Sequence, residues 1–176
     1  MTTLPDAADL LELTAALVDV PSVSGDEARL AEEVAGWLRA WAPGLSLERV
    51  GDNLVARTDV GAERRVVLAG HLDTVPPAGN ARACIEGDTL RGLGAADMKG
   101  GLAVMLALAA EVAARAPSLD VTFVFYACEE VAEARNGLRA LFAERPDLVA
   151  GDLAVLLEPT NGWLEAGCQG TLRMAA

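Results

Sequence analysis

Val66-Val67-Leu68-Ala69-Gly70-His71-Leu72-Asp73 is the stretch that decides the fold. A continuous apolar run of this kind predicts a strand that is buried on both faces, as in parallel sheets. His71, the only histidine of the chain, comes at the end of the run, and Asp73 follows two residues later. An imidazole beside a carboxylate is typical of a metal ligand and its orienting group. Taken alone, His71 is better explained as a hydrogen-bonded core histidine, so the metal-site hypothesis depends on residues further along the chain.

The rest of the chain alternates between strand-like and helix-like segments. Apolar runs predict strands at 47–50, 54–58, 65–69, 121–127 and 153–157. Helical periodicity predicts helices at 6–19, from 24 to just before 43, from about 95 to 114, and at 133–144. The turn sequence Gly51-Asp52-Asn53 leaves the first two strands either as a hairpin or as two successive strands. This alternation indicates an α/β fold with a mostly parallel twisted sheet flanked by helices.

The composition is that of an acidic globular domain. The 176 residues are 52% hydrophobic and 23% charged, and the formal net charge is −12. A surface of this sign disfavours non-specific binding to nucleic acid or to an anionic membrane, so neither is an expected partner. The simplest reading of the acidity is a soluble, self-repelling surface. Carboxylates are also the ligands that many divalent cations require.

The cysteines and the N-terminal sequence predict a cytoplasmic protein. Cys84, Cys128 and Cys168 form no Cys-x-x-Cys pair, so a sulfur-rich zinc site or redox motif is not expected. Residues 1–13 lack the basic region and apolar core of a signal peptide. The longest apolar stretch, 101–110, is too short to span a bilayer.

Three local expectations concern individual side chains. Ser24 and Glu27 form a Ser-x-x-Glu capping box at the start of the second helix. Trp37 and Trp41 lie on the apolar stripe of that helix and are expected in the core. The cations of Lys99 and Arg91 are expected to be solvated rather than catalytic.

Polar side chains follow the ends of several predicted strands. Ligands of open α/β sheets bind beyond the carboxyl ends of the strands, so these side chains should gather near one edge. They are His71, Asp73, Asp97, Glu129, Glu130 and Glu158.

Asp97 has two other interpretations when it is taken alone. Asp97 could be an ordinary helix N-cap. The pattern Gly92-x-Gly94-x-x-Asp97 is similar to a dinucleotide fingerprint, but it puts an acid where the third small residue belongs. The adjacent Glu129 and Glu130 are hard to explain without a cation, because both follow a low-dielectric strand and repel each other. Mixed imidazole and carboxylate ligands suit zinc, with manganese or cobalt less favoured.

Four motifs occur in order between residues 66 and 160. They are Gly70-His71-Leu72-Asp73-Thr74-Val75-Pro76, Gly94-Ala95-Ala96-Asp97-Met98-Lys99-Gly100-Gly101, Cys128-Glu129-Glu130 and Leu157-Glu158-Pro159-Thr160. Together they resemble the motifs of the co-catalytic zinc amidohydrolases and peptidases. That family includes acetylornithine deacetylase, succinyl-diaminopimelate desuccinylase and glutamate carboxypeptidase. Within it, segment 156–173 is most similar to the desuccinylases.

The resemblance implies a role for each candidate residue. His71 and Glu158 would bind one zinc ion, Asp97 would bridge two zinc ions, and Glu130 would bind the second. Glu129 would be the general base and then the general acid. Asp73 would support His71 in the catalytic site.

The resemblance also implies a reaction and a domain arrangement. The reaction is hydrolysis of N-succinyl-LL-2,6-diaminopimelate to succinate and LL-2,6-diaminopimelate, a step of lysine and diaminopimelate synthesis. The alternatives are a deacylase or carboxypeptidase acting on another N-acyl amino acid, and a non-catalytic metal-binding fragment. Residues 1–167 would be the N-terminal part of the catalytic domain, and 168–176 the start of a truncated lid domain. A homodimer would need that lid, and the isolated chain is expected to be inactive.

Overall fold

The computed structural model describes residues 2–115 and 117–167. The helices are α1 (Leu10–Val18), α2 (Ala28–Trp41), α3 (Gly100–Ala114), α4 (Gly137–Glu144) and α5 (Pro146–Val149). The strands are β1 (Ser46–Val50), β2 (Asn53–Arg57), β3 (Arg65–His71), β4 (Cys84–Glu86), β5 (Thr89–Arg91), β6 (Asp120–Tyr126) and β7 (Leu153–Leu156). An irregular turn, Ala95–Lys99, leads into α3, and a 3₁₀ turn, Glu133–Arg135, precedes α4.

The main sheet has five strands in the order β1-β2-β6-β3-β7. β3 pairs in parallel with both β6 and β7, while β2 pairs antiparallel with β1 and with β6. Four of the five strands therefore run in one direction and only β2 is reversed. The α/β fold with a sheet flanked by helices is confirmed. The sheet is mixed, with two parallel and two antiparallel strand pairs, and β1 and β2 form the hairpin.

Helices cover both faces of the sheet. Alternate side chains of a strand point to opposite faces, so Phe123 and Phe125 of β6 pack with α1, α2 and α3, whereas Val124 and Tyr126 pack with α4 and α5. All four of these side chains are buried. As the third strand of five, β6 is the central strand that its apolar sequence predicts.

One small element was not predicted from the sequence, and the predicted start of the first helix is wrong. β4 and β5 form a separate two-stranded hairpin. They were not predicted because each strand has only three residues, too few to show a clear alternation. The first helix begins at Leu10 rather than at residue 6, because Asp9 accepts the backbone N–H groups of Leu11 and Glu12 and so caps it.

Two local expectations for α2 are wrong. Ser24 and Glu27 form no capping box. The Ser24 hydroxyl donates to Asp73 Oδ2 at 2.7 Å, and Glu27 accepts a backbone N–H from Cys128. Trp37 is fully buried as expected, but Trp41 in the last turn is 48% exposed because the core ends below it. Tertiary partners thus override the local capping pattern at the start of this helix.

β7, an edge strand of the five-stranded sheet, is poorly covered. All four of its residues are exposed although the strand reads Leu-Ala-Val-Leu.

In residues 2–115 and 117–167, no helix is both long and apolar enough to cross a bilayer. The predicted beginning of a lid at 168–176 lies outside the described residues.

The buried carboxylate at the start of β6 allows a stability prediction. Asp120 accepts the N–H groups of Val60 and Ala62 at 2.9 and 3.0 Å and the hydroxyl of Thr58 at 2.7 Å. The backbone N–H of Val60 and the hydroxyl of Thr58 lower the pKa of Asp120. Asparagine offers one acceptor oxygen and turns an N–H₂ toward a donor, so we expect Asp120→Asn to lower the free energy of unfolding by about 1–3 kcal/mol at pH 7.

The stability difference between wild type and Asp120→Asn should also depend on pH. A pKa that is lower in the folded than in the unfolded state stabilises the fold above the unfolded pKa, and this stabilisation disappears as the pH falls through the folded value. Urea unfolding at pH 7 and at pH 3 should therefore show a smaller gap between wild type and Asp120→Asn at the lower pH. A gap that widens in acid would contradict the assignment.

Candidate metal centre

His71 ends β3 at the carboxyl edge of the sheet, directly beside the end of the central strand. It stands opposite Tyr126 in the parallel register and is only 1% exposed. Its Nδ1 lies 3.0 Å from the backbone oxygen of Asp73 and 3.6 Å from Asp73 Oδ1. Because Nδ1 is the donor to that oxygen, Nε2 is left as the acceptor or ligand atom. The imidazole is thus held by Nδ1, and Nε2 is the ring nitrogen that faces the carboxylates of Asp97 and Glu158.

Asp97 reaches Nε2 from the irregular turn before α3. Its Oδ1 lies 2.9 Å from His71 Nε2, and about half of its side chain is exposed. Asp97 itself has extended backbone angles, and the turn begins after Gly94, whose φ is +74°. A Cβ at position 94 would lie 2.6 Å from Thr74 Cγ2, so only glycine fits there. Asp97 therefore faces His71 and does not act as the N-cap that its sequence position allows.

Two glycines let α3 approach the strand ends that carry the site. A Cβ at Gly70 would lie 2.7 Å from Met98 Cε, and a Cβ at Gly101 would lie 2.6 Å from the backbone oxygen of Leu157. Met98 is buried, and its sulfur accepts the backbone N–H of His71 at 3.2 Å. The turn that bears Asp97 is thus packed against the end of β3.

Glu158 follows β7 and completes a first group of potential ligands. One of its carboxylate oxygens lies 4.0 Å from His71 Nε2. His71, Asp97 and Glu158 each offer one ligand atom, and these atoms lie within 4.8 Å of one another. The predicted convergence of these residues is observed. Their assignment to particular metal ions stays a prediction.

Glu129 and Glu130 form a second group with His71. One ligand atom from each of the three residues again lies within 4.8 Å of the other two. Both glutamates follow β6 and are half-buried. His71 therefore belongs to both groups, which makes its imidazole the centre of the cluster.

Asp73 does more than the sequence predicts. It is fully buried, and its two carboxylate oxygens accept the backbone N–H groups of Glu129 at 2.9 Å and Glu130 at 3.0 Å. Ser24 donates to the same carboxylate. Asp73 thus fixes the turn that carries the glutamate pair as well as lying beside His71. Sequence reasoning did not identify Ser24, because it lies 49 residues from Asp73 and has no metal-ligating side chain.

The electrostatics of the cluster favour a cation. Burial raises the pKa of Glu130, and the charge of Asp97 raises it further. Burial also raises the pKa of Glu158, while the nearby His71 opposes that shift. For His71, burial lowers the pKa, but the contact with Asp97 and the charges of Glu158 and Asp73 outweigh it and raise the pKa overall. Crowded carboxylates in a low-dielectric site repel one another, and a divalent cation relieves that repulsion.

The donor set fits zinc. Ligands of a tetrahedral zinc ion, bound at about 2.0–2.2 Å, lie roughly 3.4 Å apart. His71 Nε2 lies 2.9 Å from Asp97 Oδ1 and 4.0 Å from Glu158 Oε2, on either side of that value. One imidazole with several carboxylates is also the chemistry that zinc shares with manganese and cobalt.

Lys99 is buried, so the expectation that it is solvated is wrong. It is 1% exposed, and its Nζ donates to the backbone oxygens of Leu17 at 3.0 Å and Val20 at 2.8 Å. These carbonyls lie at the end of α1, where a cation also interacts favourably with the helix dipole. Burial lowers the pKa of Lys99 to about 8, and Asp19 opposes the shift. By contrast, Arg91 is exposed, as expected, and it forms an ion pair with Glu86.

We expect Lys99→Met to lower the free energy of unfolding by about 1–3 kcal/mol. Methionine fills similar space but leaves the carbonyls of Leu17 and Val20 without their donor. Urea denaturation measures the effect, and Arg91→Met is the matched control with an expected change within about 0.5 kcal/mol. Equal stability of Lys99→Met and wild type would mean that the cost of burying the ammonium cancels its hydrogen bonds.

An α/β sheet with an imidazole and four carboxylates gathered at its carboxyl edge defines a candidate metal-dependent hydrolase. The sequence matches the family model described as peptidase family M20/M25/M40 over residues 67–169. The chain belongs to that family.

Individual relatives support the same placement. A Mycobacterium tuberculosis protein, provisionally named a succinyl-diaminopimelate desuccinylase, is 55% identical over 166 residues, covering 94% of this chain and 46% of the relative. The succinyl-diaminopimelate desuccinylase of Corynebacterium glutamicum is 47% identical over 168 residues, with the same coverages. The chain thus spans about half the length of the curated relatives it matches.

The fold has counterparts among solved structures. A tripeptidase from Staphylococcus aureus superposes with a TM-score of 0.70 at 25% identity, covering 87% of this chain and 43% of the tripeptidase.

Proposed function

We propose that the chain is the N-terminal part of the catalytic domain of a zinc-dependent amidohydrolase. The reaction is cleavage of the amide bond of N-succinyl-LL-2,6-diaminopimelate, which gives succinate and LL-2,6-diaminopimelate. The convergence of His71, Asp97, Glu129, Glu130 and Glu158 around one imidazole carries the hydrolase part of the proposal. The names of the two relatives at 55% and 47% identity support the choice of substrate.

The two groups that share His71 support the proposed ligand roles. His71 and Glu158 would hold one zinc ion, and Asp97 lies between His71 Nε2 and solvent, where its carboxylate can serve two ions. Glu130 would hold the second ion. A divalent cation supplies Lewis acidity toward the amide carbonyl and makes water more acidic.

Glu129 is the proposed general base and then general acid. Its backbone N–H is fixed by Asp73 Oδ1, and its carboxylate lies in the group that includes His71. It would take a proton from the attacking water and return it to the leaving amine, which needs a carboxylate that is free of a strong competing partner. Asp73 would serve catalysis by holding His71 and the glutamate turn together.

We propose that residues 168–176 begin a lid domain, that dimerisation depends on it, and that the protein acts in the cytoplasm without nucleic-acid or membrane partners. On this basis the 176-residue chain alone should show little or no turnover.

A second candidate reaction is hydrolysis of another N-acyl amino acid or of a short peptide. The tripeptidase of similar fold supports it, because the name of that protein indicates a short peptide as its substrate. A metal-binding fragment without catalysis is the remaining alternative.

Metal removal and replacement test the proposal on the full-length protein that carries this sequence. Chelation should abolish hydrolysis of N-succinyl-LL-2,6-diaminopimelate, and added zinc should restore it, with cobalt and manganese compared in parallel. N-acetylornithine and a tripeptide are the competing substrates. Higher kcat/KM on either would replace the desuccinylase assignment, and activity that survives complete metal removal would overturn the hydrolase mechanism.

A further inference from the structure

The turn after β6 is held in an unusual way. Four consecutive backbone N–H groups, from 127 to 130, each donate to a side chain that comes from elsewhere in the chain. Ala127 donates to Asn53 Oδ1 at 3.0 Å and Cys128 donates to Glu27 Oε1 at 3.0 Å. The next two donate to the carboxylate of Asp73. Asn53, Glu27 and Asp73 are all buried, at 6%, 1% and 0% exposure.

Of these three acceptor side chains, Glu27 is the one whose burial has no local explanation. It lies directly before α2 but makes no side-chain capping bond to that helix. Its carboxylate instead crosses to a residue 101 positions away. Burying a carboxylate is costly, and acidic side chains are rarely buried unless they are paired. The position of Glu27 is therefore explained by what it holds rather than by the helix it precedes.

Cys128 is the residue that needs holding. Its φ is +60°, which places a non-glycine residue in the left-handed region. That conformation is disfavoured for residues with a Cβ and persists where surrounding contacts fix it. Glu27 accepts the N–H of Cys128 at this point, directly before Glu129 and Glu130. The reversal at Cys128 sets the direction in which the two following side chains leave the backbone.

We propose that Glu27 is a positioning residue that acts through the backbone N–H of Cys128 to hold Glu129 and Glu130 toward His71. The inference rests on the proposed function, because it assigns Glu27 to the same hydrolysis. Asn53 and Asp73 fix the two sides of the turn, and Glu27 fixes its centre. Glu27 neither touches the substrate nor binds the metal in this assignment.

A purely structural role is the competing explanation, and the protein contains a matched control for it. Asp120 is a buried carboxylate that also accepts backbone N–H groups, but it stands at the opposite end of β6 from the site. Removing the acceptor at Asp120 should cost stability without moving Glu129 or Glu130. A loss of kcat on substitution of Glu27 but not of Asp120 therefore distinguishes a positioning role from general stabilisation.

The experiment compares Glu27→Ala, Glu27→Gln and Asp120→Asn in the full-length protein, below the unfolding transition of each variant. Glu27→Ala should lower kcat by about 10- to 100-fold with KM nearly unchanged, since misplacement by about 1 Å has effects of this size. Glu27→Gln keeps an acceptor oxygen at the same reach and should retain kcat within about threefold. Asp120→Asn should lose stability and keep its kcat. Equal kcat in Glu27→Ala and wild type would overturn the proposal, as would equal losses in the alanine and glutamine variants.

A second measurement does not depend on turnover. Hydrogen exchange at the backbone N–H groups of 128–130 should be faster in Glu27→Ala than in Asp120→Asn, and zinc affinity should fall only in the former. If the wild-type protein hydrolyses none of the three substrates, the proposed function fails while this contrast still tests the positioning role. If Glu27→Ala does not fold, Glu27→Asp, whose reach is one methylene shorter, should show the same changes more weakly. Unchanged exchange and zinc affinity in that variant would overturn the role.

Discussion

Replacement of Glu129 by glutamine in the full-length protein is expected to lower kcat by about 100-fold or more while the zinc content is retained. Glutamine preserves the shape of the side chain and leaves the hydrogen bond from the backbone N–H to Asp73 intact. It cannot accept a proton from water near neutral pH. The loss should therefore appear in kcat with little change in bound metal, as measured by steady-state kinetics and elemental analysis.

Glu133→Gln is the matched control for this substitution. Glu133 lies four residues further on in the 3₁₀ turn and is exposed, with Arg139 as its partner. Exposed ion pairs contribute little to stability, so the control should match wild type in kcat and in zinc content. Loss of zinc together with activity in Glu129→Gln would make Glu129 a ligand and would move the role of general base elsewhere.

Replacement of His71 by alanine should have the largest effect on metal binding. His71 is the only residue shared by both ligand groups, so its loss removes an imidazole from each. Loss of a group that merely supports a ligand weakens metal binding about 10- to 100-fold, and loss of the ligand itself should exceed that. We expect zinc to bind more than about 100-fold more weakly and hydrolysis to fall below detection. Zinc titration of the metal-free protein measures the first effect.

The same variant decides between the two readings of His71 that its sequence leaves open. A hydrogen-bonded core histidine would lose stability on truncation without any change in zinc affinity. Asp88→Asn, in the exposed turn between β4 and β5, removes a carboxylate far from both groups and should leave zinc binding unchanged. Wild-type zinc affinity in His71→Ala would make the imidazole a structural group.

The sheet and the place of the site were predictable because both follow from short-range patterns. Apolar runs marked β3, β6 and β7, and the rule that strand ends meet at one edge brought His71, Glu129 and Glu158 together. Neither step requires knowledge of how distant side chains pair. The sequence therefore predicts which side chains meet, although not the contacts that hold them.

The long-range hydrogen bonds were not predictable in this way. Ser24 and Glu27 have the spacing of a capping box, yet both turn away from their helix to partners 49 and 101 residues distant. Lys99 was expected in solvent because lysine is rarely buried, but the carbonyls that end α1 provide an internal partner for its ammonium. In each case a tertiary acceptor or donor outweighs the local preference.

The packing of α3 against the strand ends has a consequence for engineering this domain. Gly70 and Gly101 leave no room for a side chain, and Met98 both fills the core and accepts the N–H of His71. Libraries aimed at heat resistance should therefore tolerate changes at the exposed positions of β1, whereas diversity introduced around Gly70, Met98 or Gly101 will disturb folding and chemistry together. Because the same few atoms determine both the packing of the core and the position of His71, stability cannot be changed there without also changing the chemistry.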